Sequence, residues 1–335
     1  MSSFIEVKES AKRIYSKYDA YINPILKFLL AVIVLSVINA KMGYMTKLDN
    51  IVIVLVLALV CSFMPMQIMA VITGLFMLLH MYALTVECAI VGGILFFLMF
   101  LLYVRFAPKE TIVVLLTPIL FLLKIPYVMP IAMGLIGGPA SIISVTFGVV
   151  ISYLVEFVSS NASTLDHVED GNMISRLRMI VDGLLANKSM FIMIVAFAVT
   201  LLLVNVIRRR SINFAWTIAI VSGVICNIVM LLIGDLVFEV NYSVGGLLIG
   251  NVIGGLLCSI LQFFNFHLDY QKVENLQFED DEYYYYVKAV PKVAVGVPNK
   301  KVKKINPNRP PQPQSHNGTA RTVRTANGTT RTIRK

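Results

Sequence analysis

The chain has 335 residues, of which 57% are hydrophobic and only 14% are charged. About a quarter of the residues in a soluble domain are charged, so this composition excludes an ordinary soluble protein and predicts an integral membrane protein. The formal charge is +10, but ten bases follow Gly296 without a single acid. The rest of the chain carries as many acids as bases, so the basic balance belongs to the C-terminal tail.

The first half of the chain predicts a surface helix and then a membrane bundle. Residues 1–20 mix four bases with three acids at helical spacing, which indicates a cytoplasmic amphipathic segment on the membrane surface. Residues 21–158 form a predicted N-terminal membrane bundle, because a span needs about 20 apolar residues and several runs approach that length. The first four predicted spans are residues 23–40, 51–64, 66–85 and 86–104.

Residues 111–158 are apolar enough for a bilayer but are repeatedly broken by proline and glycine. The pieces at 111–123 and 127–136 are too short to cross upright, and Lys124 lies between them. Broken backbone at membrane depth requires protein or a water-filled cavity to satisfy its amides and carbonyls. We therefore predict a re-entrant hairpin within residues 111–138, followed by a span; broken helices that only fill the bundle are an equal alternative.

The candidate cavity-lining residues are the interruptions of this stretch and the titratable groups nearest to membrane depth. Lys124 is the candidate contact for an anionic group, because an intramembrane base marks a functional site by default. For the one histidine in the third span, a buried ring satisfied by a neighbouring carbonyl is favoured over a proton relay. The candidates are Lys124, Pro126, Pro130, Gly134, Gly137, Pro139, His80 and Glu156.

Residues 159–190 are predicted to form an extracytoplasmic loop with one amphipathic helix, whose apolar stripe runs from Met173 to Leu185. Asp166, His167 and two further acids precede it, but nothing fixes a ligand geometry, so we predict solvated loop and no metal site.

A C-terminal membrane bundle is predicted at residues 191–264, with spans at 191–207, 212–233 and 244–264. Arg208, Arg209 and Arg210 end the first of these spans and are typical of a cytoplasmic loop. Gly246, Gly250 and Gly254 share one face of the last span. Such a face lets another helix approach closely, either within the chain, which is favoured, or in a homo-oligomer.

The basic loops decide whether the middle stretch crosses the membrane an odd or an even number of times. Arg105 and Lys109 follow four spans, and the Arg triplet follows the large loop, so residues 111–158 must cross an odd number of times. The expected fold is therefore all-α and integral to the plasma membrane, with about 8 transmembrane helices, both termini cytoplasmic and a disordered basic tail. If both short pieces crossed, the count would be 10.

Residues 265–335 are predicted to be a cytoplasmic tail. Four tyrosines at 283–286 precede β-formers and predict a strand, which pairs with a partner's sheet edge or packs near the membrane. After about residue 298 the composition predicts disorder. This basic segment, residues 300–335, suits anionic lipid, nucleic acid or an acidic protein surface, or serves only to fix orientation.

The sequence lacks the motifs of a phosphate-binding loop, a zinc protease, a nucleophile elbow or an intramembrane carboxylate pair. We therefore expect no enzyme activity and no cofactor. Two functions stay open: a transporter or permease with a cavity around the broken helices, and a non-transporting scaffold that recruits envelope or secretion partners through its Tyr-rich and basic tail.

Three segments carry a resemblance to a known family. They are Phe-Ala-Pro-Lys-Glu at 106–110, Ile-Pro-Tyr-Val-Met-Pro at 125–130 and the acidic Tyr-rich segment at 279–291. Together they resemble a family of uncharacterised multi-spanning proteins of Gram-positive anaerobes, often labelled permeases, over most of the chain. The segment at 125–130 is also similar to a Pro-Tyr motif of the autoinducer-exporter family of transporters. The resemblance implies a permease-like membrane protein and no particular site residue.

Overall fold

The structure is a computed structural model that describes residues 2–167, 173–265, 274–279 and 284–289. Residues 1–269 and 270–335 form two separate units. The elements are α1 (Ser2–Met42), α2 (Ile51–Phe63), α3 (Met66–Leu84), α4 (Val86–Phe106), α5 (Thr111–Leu122), α6 (Val128–Ile136), α7 (Ser141–Ser160), α8 (Ala162–His167), α9 (Met173–Leu185), α10 (Lys188–Arg208), α11 (Ala215–Phe238), α12 (Val244–Asn265), β1 (Glu274–Glu279) and β2 (Tyr284–Ala289).

The protein is an all-α membrane protein in its larger unit. Seven helices in the described part of the chain are long and apolar enough to cross a bilayer, and α2 and α5 are shorter apolar helices. The seven are Ile14–Met42, Met66–Leu84, Val86–Phe106, Ser141–Ser160, Arg176–Arg208, Ala215–Phe238 and Val244–Asn265. The range Arg176–Arg208 covers most of α9 together with α10.

Polar side chains at the helix starts explain where several helices begin. The side chain of Asn50 accepts a hydrogen bond from the Val52 amide at 2.9 Å, and Thr85 and Asn187 cap α4 and α10 in the same way. Each oxygen satisfies an amide that has no partner within its own helix. In α1, the backbone of Tyr18 leaves the helical region and separates the amphipathic segment from the membrane-spanning part.

The helix ends gather at two opposite ends of the bundle. At the first, which we call the Arg208 end, Ser62 donates to the Pro24 carbonyl at 2.7 Å and Gln67 donates to the Pro108 carbonyl at 3.0 Å. At the second, the Glu156 end, Lys41 and Glu156 lie 3.5 Å apart and Arg176 lies 3.6 Å from Glu87. Helices α1 to α4 therefore alternate in direction between the two ends.

The broken stretch begins and finishes at the Arg208 end. The hydroxyl of Ser141, at the start of α7, donates to Glu110, just before α5, at 2.5 Å. Helix α6 finishes beside the end of α10, where Arg208 reaches the carbonyl of Gly137 at 3.2 Å. Helix α5 thus leaves this end and α6 returns to it, with the turn at Lys124 between them, while α7 continues to the Glu156 end.

Helix α5 packs parallel to α7, and α6 packs parallel to α10. The rings of Phe121 and Tyr153 are 5.8 Å apart at the inner end of α5, and those of Tyr127 and Phe197 are 6.3 Å apart at the inner end of α6. Gly148 lets α5 approach, since an added Cβ would clash with the Thr117 side chain.

Two predicted boundaries differ from the structure. Helix α11 starts three residues later than expected, because Phe214 has a φ of 61° that a helix cannot contain. It also continues beyond residue 233, where the predicted span ends, through Gly234 and Asp235. Gly234 lies against Ile192 with no room for a Cβ, and Asp235 accepts from the Tyr242 amide at 2.9 Å beyond the helix end.

The amphipathic helix of the large loop is present as α9, but it rests on the protein. Ile180 and Leu184 are buried against the end of the bundle, while Ile174 and Leu185 stay exposed. Residues 168–172, which include two of the acids, lie outside the described residues.

In the second unit, the predicted strand is β2, and its partner belongs to the same chain. It pairs antiparallel with β1, with Tyr285 opposite Phe278 and Tyr286 opposite Gln277. The basic tail after residue 298 lies outside the described residues.

We expect Gly148→Ala to destabilise the protein by about 1–3 kcal/mol, because the added methyl group forces α5 away from α7. Gly74→Ala is the matched control, since a Cβ there meets nothing within 4 Å. Thermal unfolding of the purified protein in detergent measures both. Equal melting temperatures for the two variants would contradict the tight α5–α7 contact.

Candidate functional site

The turn between α5 and α6 is built as a helix cap without glycine. The Ile125 amide donates to the Leu120 carbonyl at 2.9 Å and the Lys124 amide donates to Phe121 at 3.0 Å. These two bonds make a Schellman cap. In this motif the residue directly after the C-cap has a left-handed backbone and is usually glycine. Lys124 occupies that position with a φ of 60°. Its positive charge lies at the C-terminal end of α5, where it interacts favourably with the negative end of the helix dipole and offsets part of the cost of the left-handed backbone.

The other end of the broken stretch is closed by side chains of α10. Asn205, which is buried, donates to the carbonyls of Gly134 at 3.3 Å and Gly137 at 3.2 Å. Arg208 donates to the carbonyls of Leu135 and Gly137. These are the carbonyls that a nine-residue helix leaves unpaired at its C-terminus. One polar face of α10 thus replaces the hydrogen bonds that the break removed.

A small polar cluster joins α4, α5 and α7 at the Arg208 end. Ser141 donates to Glu110 and accepts from the Gly138 amide at 3.1 Å. Tyr103 donates to the Pro108 carbonyl at 2.8 Å and bonds Thr111. The second oxygen of Glu110 is buried and has no hydrogen-bond partner among the described residues. The cluster fixes where α5 enters the bundle.

A cavity of about 760 Å³ lies on the α5 side of the broken stretch. Helices α1, α3, α4, α5 and α7 line it, and its wall is mainly aliphatic and aromatic. Gly74 and Gly93 contribute no side chain to the wall, and a Cβ at either would meet nothing within 4 Å. The cavity is therefore open space between helices that small residues preserve.

The polar groups of the cavity divide between its two extremes. Gln67, Tyr103 and Thr111 line it near the Arg208 end, and Lys41 and Glu156 line it at the Glu156 end. The lining residues thus connect one end of the bundle with the other. Further polar lining residues are Thr73, Lys124, Ser152 and Tyr153.

Two of the predicted cavity-lining residues, Lys124 and Glu156, line this cavity. The Glu156 carboxylate is 3.5 Å from Lys41, which lies 115 residues earlier. Lys124 is exposed at the turn and makes no ion pair with the described residues. Five other candidates lie elsewhere in the broken stretch and are absent from the lining of the cavity, namely Pro126, Pro130, Gly134, Gly137 and Pro139.

His80 is fully buried and lies outside the cavity. Its Nδ1 accepts a hydrogen bond from the Met45 amide at 3.3 Å, and its ring packs edge-on against Phe76 at 4.9 Å. Its partner is thus a backbone amide instead of the expected carbonyl. The histidine ties the loop after α1 to the end of α3.

The glycine face of α12 meets the turn of the broken stretch. A Cβ at Gly250 would lie 2.6 Å from the Tyr127 ring, and one at Gly254 would lie 3.3 Å from the Val128 amide nitrogen. Gly246 has only Ser243 nearby. Two of the three glycines therefore let α12 support the start of α6.

Sequence reasoning missed several residues that shape the site. Lys41 lies just beyond the first predicted span, residues 23–40, and Asn205 lies within the predicted apolar span 191–207. A polar residue one turn before the Arg triplet was a usable signal, because an amide inside a span needs a partner. The pairing of Lys41 with Glu156 had no local signal.

No family model, no curated protein and no solved structure matches this chain. Among the described residues, no three His, Cys, Asp or Glu side chains are grouped so that they could hold a metal ion.

We expect Arg208→Ala to lower the stability of the protein by about 1–3 kcal/mol, because it leaves the Leu135 carbonyl without its donor and the Gly137 carbonyl with Asn205 alone. Arg209→Ala is the matched control: it removes the same charge from the same triplet, but its side chain is exposed. Thermal unfolding in detergent compares them. If the two variants had the same melting temperature, Arg208 would act only through its charge.

Proposed function

We propose that this protein is a permease-like transporter whose pathway includes the cavity between α1, α3, α4, α5 and α7. The observation that supports this most strongly is the continuity of the lining residues from Gln67 at one end to Glu156 at the other. Its volume, about 760 Å³, falls within the range of small-molecule sites.

The broken helices support the same proposal. Secondary transporters often place discontinuous helices beside the substrate, where the free helix ends and turn face a cavity. Here the α5 arm of the hairpin lines the cavity and the α6 arm is anchored by α10. We propose that α5 and α6 form a re-entrant hairpin, because 12 and 9 residues span only about 18 and 14 Å of a 30 Å bilayer core.

We propose eight crossings, since α2 connects the two ends of the bundle although it is short. The Arg208 end carries the bases that follow α4 and α10, so the positive-inside rule favours the cytoplasm on this side. The N-terminus belongs to this side too, because Lys8 donates to the Phe263 carbonyl at 2.6 Å, near the end of α12. The same rule favours α9 on the extracytoplasmic face. That this membrane is the plasma membrane is part of the proposal.

Cysteine labelling in intact cells tests this topology in a cysteine-free background. We expect Lys109→Cys and Pro139→Cys to be protected from an impermeant polyethylene-glycol maleimide, and Lys47→Cys and Ser163→Cys to react. Lys124→Cys should react only with a small methanethiosulfonate, because the turn is within a cavity. Labelling of Lys124→Cys by the large reagent as readily as Lys47→Cys would favour ten crossings.

Filling the cavity should stop transport. We expect Gly93→Phe to reduce at least tenfold the release of an anion by proteoliposomes that contain the protein, because the ring occupies open space. Gly245→Phe is the matched control: its Cβ also meets nothing, but it lies on the exposed part of α12, outside the cavity. Carboxyfluorescein and 11-(dansylamino)undecyl phosphate serve as a hydrophilic and an amphiphilic anion. Equal release by both variants, or none by the wild type above empty vesicles, would count against the proposal.

One observation favours a scaffold as the second candidate. Tyr286 of β2 is 75% exposed, and a lone two-stranded hairpin is marginally stable without a further strand or helix to cover it. Its edges suit the addition of a partner strand.

Deletion of residues 270–335 tests the scaffold. We expect it to remove co-purifying partners, whereas deletion of residues 298–335, which keeps both strands, should retain them. Partners that survive the longer deletion would exclude the hairpin as the recruiting element.

A further inference from the structure

We propose that the cavity binds a single-chain lipid with an anionic head group, the head beside Lys124 and Lys41 and the hydrocarbon tail directed towards the Arg208 end. This inference deepens the proposed function by naming the class of substrate. It rests on the proposed function for the claim that this substrate is transported, but binding can be tested separately.

The wall selects an apolar occupant. Phe96, Phe97 and Phe100 of α4 line the cavity from one side, and Phe121 and Phe147 line it from α5 and α7. Aromatic rings give a large apolar contact area, and water in such a space would have few hydrogen-bond partners. A hydrophilic solute would lose its hydration without compensation along most of the length.

The size selects a small molecule over a partner helix. A helix of ten residues is about 15 Å long and at least 10 Å wide, so it would fill more than about 1,000 Å³. The cavity offers about 760 Å³. Its lining residues run from one end of the bundle to the other, which suits one extended chain.

The charged residues of the wall favour an anionic head group and indicate where in the cavity it binds. Lys41, Glu156 and Lys124 all line the cavity, and Lys41 is paired with Glu156. Lys124 comes three residues after Phe121, and Glu156 comes three residues after Tyr153 on the parallel helix α7; since these two rings are 5.8 Å apart, Lys124 lies towards the Glu156 end. The three together leave one positive charge, carried by Lys124, which makes no ion pair with the described residues. A base without a counter-ion beside an apolar wall favours an anion that brings its own hydrocarbon.

The opposite extreme of the cavity does not compete for the head. Its lining side chains are uncharged, and two of them are already engaged: Gln67 and Tyr103 both donate to the Pro108 carbonyl, at 3.0 and 2.8 Å. The tail therefore extends in this direction, past Gly74 and Gly93, which contribute no side chain to the middle part of the wall.

The test is direct binding to the full chain in phosphatidylcholine nanodiscs. The probe is 11-(dansylamino)undecyl phosphate, and the corresponding alcohol is the uncharged control; dansyl emission reports entry into an apolar site. We expect the phosphate to bind at least tenfold more tightly than the alcohol to the wild-type protein. Equal affinities would overturn the assignment of an anionic head.

Variants separate head from tail. Lys124→Gly should weaken the phosphate about tenfold and leave the alcohol unchanged, the size of effect expected for a hydrogen bond to a charged group. Glycine suits the left-handed turn, so this variant should keep its melting temperature, and Lys124→Arg should restore the preference for phosphate. Retained preference in Lys124→Gly would overturn the role of Lys124.

Gly74→Phe and Gly93→Phe should weaken both probes, and Gly245→Phe should weaken neither. Unchanged binding in both cavity variants would place the lipid elsewhere and overturn the site. Tight phosphate binding without transport would keep this inference and refute the transporter, whereas release of carboxyfluorescein without phosphate binding would do the reverse.

Discussion

The structure depends on one constraint: at membrane depth, every backbone amide and carbonyl must find its partner within the protein. The break between α5 and α6 violates the simplest solution, an unbroken helix. Two local devices repair it. A left-handed cap at Lys124 pairs the last carbonyls of α5, and the side chains of Asn205 and Arg208 pair those of α6.

These repairs are not symmetrical, and the asymmetry shapes the bundle. Helix α6 is held on several sides, by α10 through Asn205 and by α12 through the close approach of Gly250 and Gly254. Helix α5 packs closely on α7 and leaves its other side open. The space that results is bounded by α1, α3 and α4, and Gly74 of α3 and Gly93 of α4 contribute no side chain to it. The bundle is thus closely packed around α6 and open beside α5.

The distribution of polar groups gives this open half a direction. At the Arg208 end, Gln67, Tyr103 and Ser141 donate their hydrogen bonds to groups of the protein itself. Towards the other extreme lie the Lys41–Glu156 salt bridge and Lys124, which forms no ion pair within the described part of the chain, beside apolar walls. An occupant with one charged end and one apolar end matches both extremes, and a uniformly polar solute matches neither. The chemistry of the wall is therefore more informative about function than the number of spans.

The sequence by itself determined the membrane class, the approximate position of nearly every helix, the amphipathic helix α9, the strand β2 and the point at which the apolar run breaks at Lys124. These features depend on composition and on periodicity over a few residues, which a linear chain displays directly. Only the tertiary structure decided that Lys41 meets Glu156, that Arg208 caps α6, that β2 pairs with β1 and that the cavity lies beside α5 and not around both arms of the hairpin. Each of these joins residues from separate elements, and partners of that kind are chosen by how whole helices and strands pack, which no local pattern encodes.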